Sequence, residues 1–163
     1  MNKDYCILAG GCFWCIALPF YELNGVIKVV SGYSGGTVID PTYEEVKSQT
    51  TGHYEVIKIE YNPSLISYEE ILKVYLENID PFDEGGQYID RGSSYMLAVF
   101  YKDIRMKDIA EKVINDTFNK RTAIKLLEEK EFYIAEEYHQ EYALKNPNEI
   151  IEEFHISGRN MKK

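Results

Sequence analysis

Residues 53–80 read HYEVIKIEYNPSLISYEEILKVYLENID, and this stretch decides the fold. In its first part Ile57, Ile59 and Tyr61 recur at every second position, the period of a strand with one face on a core. Asn62-Pro63 ends it, because proline has no N–H to give a ladder. Ser67 then stands three residues before Glu70, the two halves of a capping box that opens a helix. Beyond it Ile71, Leu72, Tyr75, Leu76 and Ile79 form one apolar stripe at the helical period. A strand handing over to an amphipathic helix means a sheet with helices packed against it.

The same two periods recur outward from this segment. DYCILA (4–9) is an apolar run stopped by Gly10-Gly11, and VIKVVSGYSGG (26–36) is a strand entering a glycine-rich loop. YMLAVFY (95–101) and AIKLL (123–127) read as further strands. Helical spacing returns at 103–119 through Ile109, Val113 and Phe118. CIALPFYELN can begin a helix if Pro19 lies in its first turn. AEEYHQEYALKNP (135–147) reads as a short helix ended by Asn146-Pro147. The expectation is an α+β fold: a single-domain, two-layer sandwich over 1–163, with a central mixed β-sheet, helices packed on it and long active-site loops. Loops 31–53, 80–94 and 128–142 gather Tyr, Asp, Glu, Gly and His, and loops beyond about 12–15 residues in a compact domain are usually functional.

With 163 residues, 45% of them hydrophobic and 28% charged, the chain can bury a core without covalent help. Its 27 acidic and 18 basic residues give a charge of −9, and no Lys/Arg stripe offsets the repulsion a polyanion would meet. Nucleic acid is excluded as a partner. The N-terminus has no basic segment followed by an apolar one, and no apolar run approaches roughly 18 residues. The expectation is a cytoplasmic protein without a membrane segment. Three cysteines, at 6, 12 and 15, are an odd number crowded at one end, unlike a disulfide scaffold.

Two of them frame GGCFWC (10–15). If Gly10-Gly11 bend the chain out of a strand, Cys12 falls at a helix N-terminus, where the dipole and free N–H groups favour a thiolate. A buried small hydrophobe is the plainer reading of a lone cysteine. Cys15 has three readings. One helical turn away, its Cα lies roughly 5 Å from that of Cys12, within disulfide range. It is alternatively a zinc ligand or simply buried. Zinc lacks support: Cys6, His53, His139 and His155 include no second ligand-spaced pair. Phe13 and Trp14 read as core aromatics, or as the wall of an apolar pocket beside the thiol.

GGCFWC, followed in order by VVSGYSGG, PTYEEV, TGHYEVIKIEYNP, DPFDEGGQYIDRGSSY and AEEYHQEY…KNP, resembles the peptide methionine sulfoxide reductase A family. The match runs from about residue 5 to residue 148. It implies that Cys12 is the nucleophile and Glu55 the proton donor, a carboxyl whose neighbouring aromatic rings strip its hydration and raise its pKa. Tyr43 and Tyr95 correspond to the tyrosines that hold the sulfoxide oxygen, and Asp90 to the acid sharing that polar site. Phe13 and Trp14 correspond to the wall receiving the substrate methyl. His53 is structural on this reading, while His139 and Tyr142 help close the site.

The implied reaction reduces methionine-S-sulfoxide, free and in oxidised proteins and peptides, through a Cys12 sulfenic acid. No cofactor is implied. A disulfide would be recycled by an external dithiol, thioredoxin or dithiothreitol. No feature of the sequence demands a partner chain, so a monomer is expected. Many family members carry GCFWG and recycle through cysteines in a C-terminal tail; here Cys15 replaces that glycine and no cysteine follows it. Cys15 is thus the candidate resolving thiol, with Cys6 or an external thiol as alternatives. A general dithiol-disulfide oxidoreductase is the competing function that Cys-x-x-Cys alone suggests.

Overall fold

Ile57 and its alternating neighbours build β3 (Tyr54–Tyr61) in the middle of a six-stranded sheet. The computed structural model describes residues 2–150 and 152. β3 pairs antiparallel with β1 (Asp4–Gly10) on one side and β2 (Val26–Ser34) on the other. Leu8 lies opposite Ile57, and Tyr33 opposite Glu55. A two-residue ribbon, β4 (Gly86–Gln87) with β5 (Asp90–Arg91), stands apart from the sheet. The remaining strands are β6 (Leu97–Tyr101), β7 (Lys125–Glu128) and β8 (Phe132–Ile134), giving the order β7-β6-β1-β3-β2-β8. Among the described residues only the β6–β7 pairing is parallel, so the sheet is mixed.

Side-chain alternation divides the sheet into two unlike faces. Cys6, Leu8, Ile57, Ile59, Leu97 and Val99 face the main core, where they meet the buried apolar residues of four helices among the described residues. These are α1 (Phe13–Ala17), α2 (Tyr43–Lys47), α3 (Tyr68–Glu77) and α4 (Ile104–Thr117). The opposite face carries Ile7, Ala9, Val56, Ala98 and Phe100, covered by Tyr5, Tyr54, Leu127 and Phe132 without a helix. This is the expected two-layer α+β arrangement.

The capping box at α3 is formed: Ser67 Oγ accepts the Glu70 N–H at 3.1 Å, and Glu70 accepts the Ser67 N–H at 3.3 Å. Tyr75 on this helix donates its hydroxyl to the Ala9 carbonyl at 2.7 Å, pinning the end of β1. Three expected elements differ. CIALPFYELN does not begin a helix at Cys15: α1 has already started at Phe13 and ends at Ala17, and Pro19 lies in a 3₁₀ turn, Leu18–Phe20. Residues 135–147 are not one helix: a 3₁₀ turn (Glu137–His139) is broken at Glu141, whose φ is +54°, before α5 (Tyr142–Lys145). The loop 31–53 contains α2, opened by a Thr42/Glu45 capping box of the same kind as the one at Ser67.

Candidate active site

The site lies where β1 stops. Gly11 takes φ +88°, a backbone conformation that side chains strain to reach, and a Cβ on Gly10 would come within 2.7 Å of Ile16. These two glycines let the chain leave the sheet and start α1 at once, with Cys12 as its N-cap. The Cys12 carbonyl accepts the N–H groups of Cys15 and Ile16 at 3.1 and 3.2 Å. α1 is short, so its dipole is small, and the Phe13 N–H goes to a carboxyl oxygen of Glu55 at 3.1 Å. That bond ties the turn at Cys12 to β3.

Glu55 shares the face of Ile57 and Ile59 and is 1% exposed. It lines a cavity of about 340 Å³ together with Cys12, Phe13, Trp14, Tyr43, Asp90 and Tyr95. The expected nucleophile, proton donor, oxygen-binding and apolar-wall residues are therefore together on this wall, while Cys6, Cys15, His53, His139 and Tyr142 do not line it. Ile89, Glu149 and Glu152 complete the rim. A larger groove of about 500 Å³ runs along the outer edge of β2, but it contains no thiol.

Tyr43 begins α2, and its backbone N–H donates to Glu136 at 2.9 Å; the other oxygen of Glu136 accepts the Tyr33 hydroxyl at 2.8 Å. Burial pushes the Glu136 carboxyl up, but these hydrogen bonds outweigh it and hold the group below its ordinary range. Tyr95 sits in a 3₁₀ turn, Ser93–Tyr95, anchored by Gln49: its amide oxygen accepts the Ser94 N–H and its amide nitrogen donates to Ser94 Oγ, both at 2.8 Å. Burial, and then the neighbouring charge of Glu55, hold the Tyr43 and Tyr95 phenols well above the usual tyrosine range. Both remain O–H donors at physiological pH.

Trp14 donates its indole N–H to Nδ1 of His139 at 3.0 Å and stacks on Tyr142 at 3.8 Å. His53 lies outside the cavity wall: its Nδ1 accepts the Gly36 N–H at 3.0 Å and its Nε2 bonds the Val38 carbonyl at 2.7 Å, clipping the loop after β2. Cys15 is 2% exposed and packs in one cluster with Cys12, Ala143 and Ile150. Cys6 belongs to the main core, and burial pushes its thiol far up. None of the three cysteines is joined in a disulfide. His155 lies outside the described residues, and among those described no three His, Cys, Asp or Glu are placed to hold a metal ion. Among the described residues no helix is long and apolar enough to cross a membrane.

Glu136, Gln49 and Gln140 were not legible as parts of this site. Each acts across a long sequence separation; Gln140, for instance, accepts the Ser31 N–H at 2.9 Å and donates to the Ser31 carbonyl at 2.9 Å.

A thiol facing a buried carboxyl and two phenol donors across a small cavity defines a thiol-dependent oxidoreductase. The chain belongs to the peptide methionine sulfoxide reductase family, whose model matches residues 4–163. It is 44% identical to peptide methionine sulfoxide reductase MsrA of Bacillus licheniformis, over 97% of this chain and 90% of that protein. It is also 44% identical to MsrA 2 of Staphylococcus aureus strain MW2, over 98% and 93%. Among solved structures, reduced Mxr1 of Saccharomyces cerevisiae superposes with a TM-score of 0.83 at 26% identity, covering 90% of this chain and 87% of that one. Methionine sulfoxide reductase A of Corynebacterium diphtheriae gives 0.80 at 27% identity, with 90% and 76% covered. The yeast protein has also been crystallised in complex with Trx2.

Proposed function

We propose that this chain, acting as one monomeric domain in the cytoplasm, reduces the S epimer of methionine sulfoxide, free and in oxidised proteins and peptides. The observation that carries the reading is the convergence of Cys12, Glu55, Tyr43 and Tyr95 on one cavity, at the small end of ligand-site sizes. Phe13 and Trp14 supply the apolar wall for the substrate's methyl group. Tyr43 and Tyr95 donate hydrogen bonds to the sulfoxide oxygen, and Asp90 completes this polar side.

The Cys12 thiolate attacks the sulfoxide sulfur while Glu55 gives its proton to the oxygen. The S–O bond breaks, methionine leaves with two electrons from the thiol, and the oxygen and proton remain on Cys12 as sulfenic acid. Cys15 then forms an S–S bond with Cys12, releasing water. Proximity supports this role, since Cys15 is one helical turn away and in the same buried cluster. Cys6 is four residues before Gly10 on β1, roughly 13 Å back at strand spacing. The yeast relative's complex with Trx2 supports thioredoxin as the dithiol that restores the enzyme, with dithiothreitol substituting in vitro and no bound cofactor required.

Reduction of a methionine sulfoxide peptide with dithiothreitol, by wild type and Glu55→Gln, tests the reading. Activity in wild type that collapses in the variant supports it. Reduction of protein disulfides alone, indifferent to Glu55, would identify a general dithiol oxidoreductase instead.

A further inference from the structure

Trp14 is the chain's one tryptophan, and two residues of the segment after β8 hold it from different directions. His139 accepts the indole N–H at 3.0 Å, while Tyr142 lies against the indole face with planes 11° from parallel. Tyr142 is itself fixed through its hydroxyl, which donates to Glu149 at 2.7 Å. An imidazole that accepts at Nδ1 carries its proton on Nε2 when neutral. Here Nε2 is buried and has no hydrogen-bond partner among the described residues. Leaving a buried donor unpaired is unfavourable, so the ring's polar contribution at this position is the bond to Trp14.

The surroundings favour that neutral form. His139 is 1% exposed, with ring centroids 4.4 Å from Tyr43 and 4.0 Å from Tyr138. Burial lowers its pKa below the ordinary histidine range against the opposing pull of Glu136. Its backbone is held as well, because the next residue, Gln140, brackets Ser31 of β2 and the Ala135 carbonyl. The imidazole is thus a fixed acceptor delivered by the sheet's edge to a side chain of the cavity wall.

We propose that His139 is a positioning residue: neutral and protonated on Nε2, it orients Trp14 so that the indole presents a fixed apolar surface to the substrate's methyl group. His139 is not itself on the cavity wall. The inference rests on the functional reading above, in which Trp14 receives that methyl. It predicts an effect on substrate binding rather than on the chemical step.

Three substitutions separate the hydrogen bond from mere packing. His139→Asn places an amide oxygen near the position of Nδ1, His139→Gln reaches the position of Nε2, and His139→Leu removes the acceptor. Pre-reduced enzyme is mixed with a methionine sulfoxide peptide and single-turnover rates are read against peptide concentration. Leu and Gln should raise the half-saturating concentration about three- to tenfold, the range of one lost net hydrogen bond, with the maximal rate changed less than about twofold. Trp14 fluorescence should shift and lose anisotropy in both, and Asn should restore both readouts towards wild type. Asn behaving like Gln, or folded Leu and Gln variants with unaltered half-saturation and emission, would overturn the proposal. If the Leu variant does not fold, the Asn–Gln contrast decides. If wild type reduces no sulfoxide, the functional reading fails, and the emission series alone upholds or overturns the arrangement of Trp14 and His139.

Discussion

Cys6 and Cys12 place one residue type in two unlike settings, within β1 and just beyond its end. Cys6 points by strand alternation into the main core, fully buried, where loss of hydration pushes its thiol far up. Cys12 lies past the Gly10-Gly11 bend, at a helix N-cap on a cavity wall shared with Glu55. Both thiols are nearly inaccessible by area, 0% and 7%. Burial alone therefore does not distinguish the two thiols; their surroundings do, an apolar core for Cys6 and a cavity shared with Glu55 for Cys12.

The contrast between the two thiols breaks most sharply at Cys12, the proposed nucleophile. Cys12→Ser should lower sulfoxide reduction on the order of 10³-fold or more, while Cys6→Ala leaves the rate close to wild type, both measured by methionine release with dithiothreitol. Glu55→Gln should cost about 10²–10³-fold in kcat/KM, the range of a lost general acid, with circular dichroism unchanged. A smaller effect is expected from Tyr43→Phe or Tyr95→Phe, roughly tenfold each through one hydrogen bond to the oxygen. Since burial beside Glu55 raises both phenols well above the ordinary value, the wild-type rate should show no loss from their ionisation as pH rises to about 10.

Cys15→Ser sharpens the account of recycling. The first turnover should still release methionine, while the thioredoxin-driven steady-state rate falls; an undiminished steady state would remove Cys15 as the resolving thiol. The smallest change belongs to the inert end of the strand. Cys6→Ala leaves a small void among Leu8, Ile59 and their neighbours and should cost about 1 kcal/mol, a drop of roughly 2–4 °C in Tm by calorimetry.

Legibility in the sequence followed the range of the interaction. Alternation over Ile57, Ile59 and Tyr61 located β3, and extending the same period back by one step puts Glu55 on the buried face. The capping box at Ser67 marks α3 together with an apolar stripe, whereas the same pair at Thr42 and Glu45 opens α2 with little else to mark it. That helix is only five residues and buries a single apolar residue, Val46, so no apolar stripe accompanied its cap. The helix read over 135–147 foundered on Glu141, where the chain turns left-handed so that α5 can reach α1 and pack Ala143 beside Cys15. Tyr43 and Tyr95 stand among 14 tyrosines, and resemblance alone distinguished them. The anchors of these two tyrosines, Glu136 and Gln49, are long-range contacts that no local pattern encodes.

The most direct test follows the oxygen and the electrons through a single turnover. Pre-reduced enzyme is given one equivalent of a methionine-S-sulfoxide peptide without external reductant, then alkylated and mapped by mass spectrometry. The account predicts one equivalent of methionine peptide and a Cys12–Cys15 disulfide, with Cys6 alkylated as a free thiol; in Cys15→Ser it predicts a trappable sulfenic acid on Cys12. Methionine formed with Cys12 still reduced and the oxidation found at Cys6, or no methionine formed at all, would contradict it.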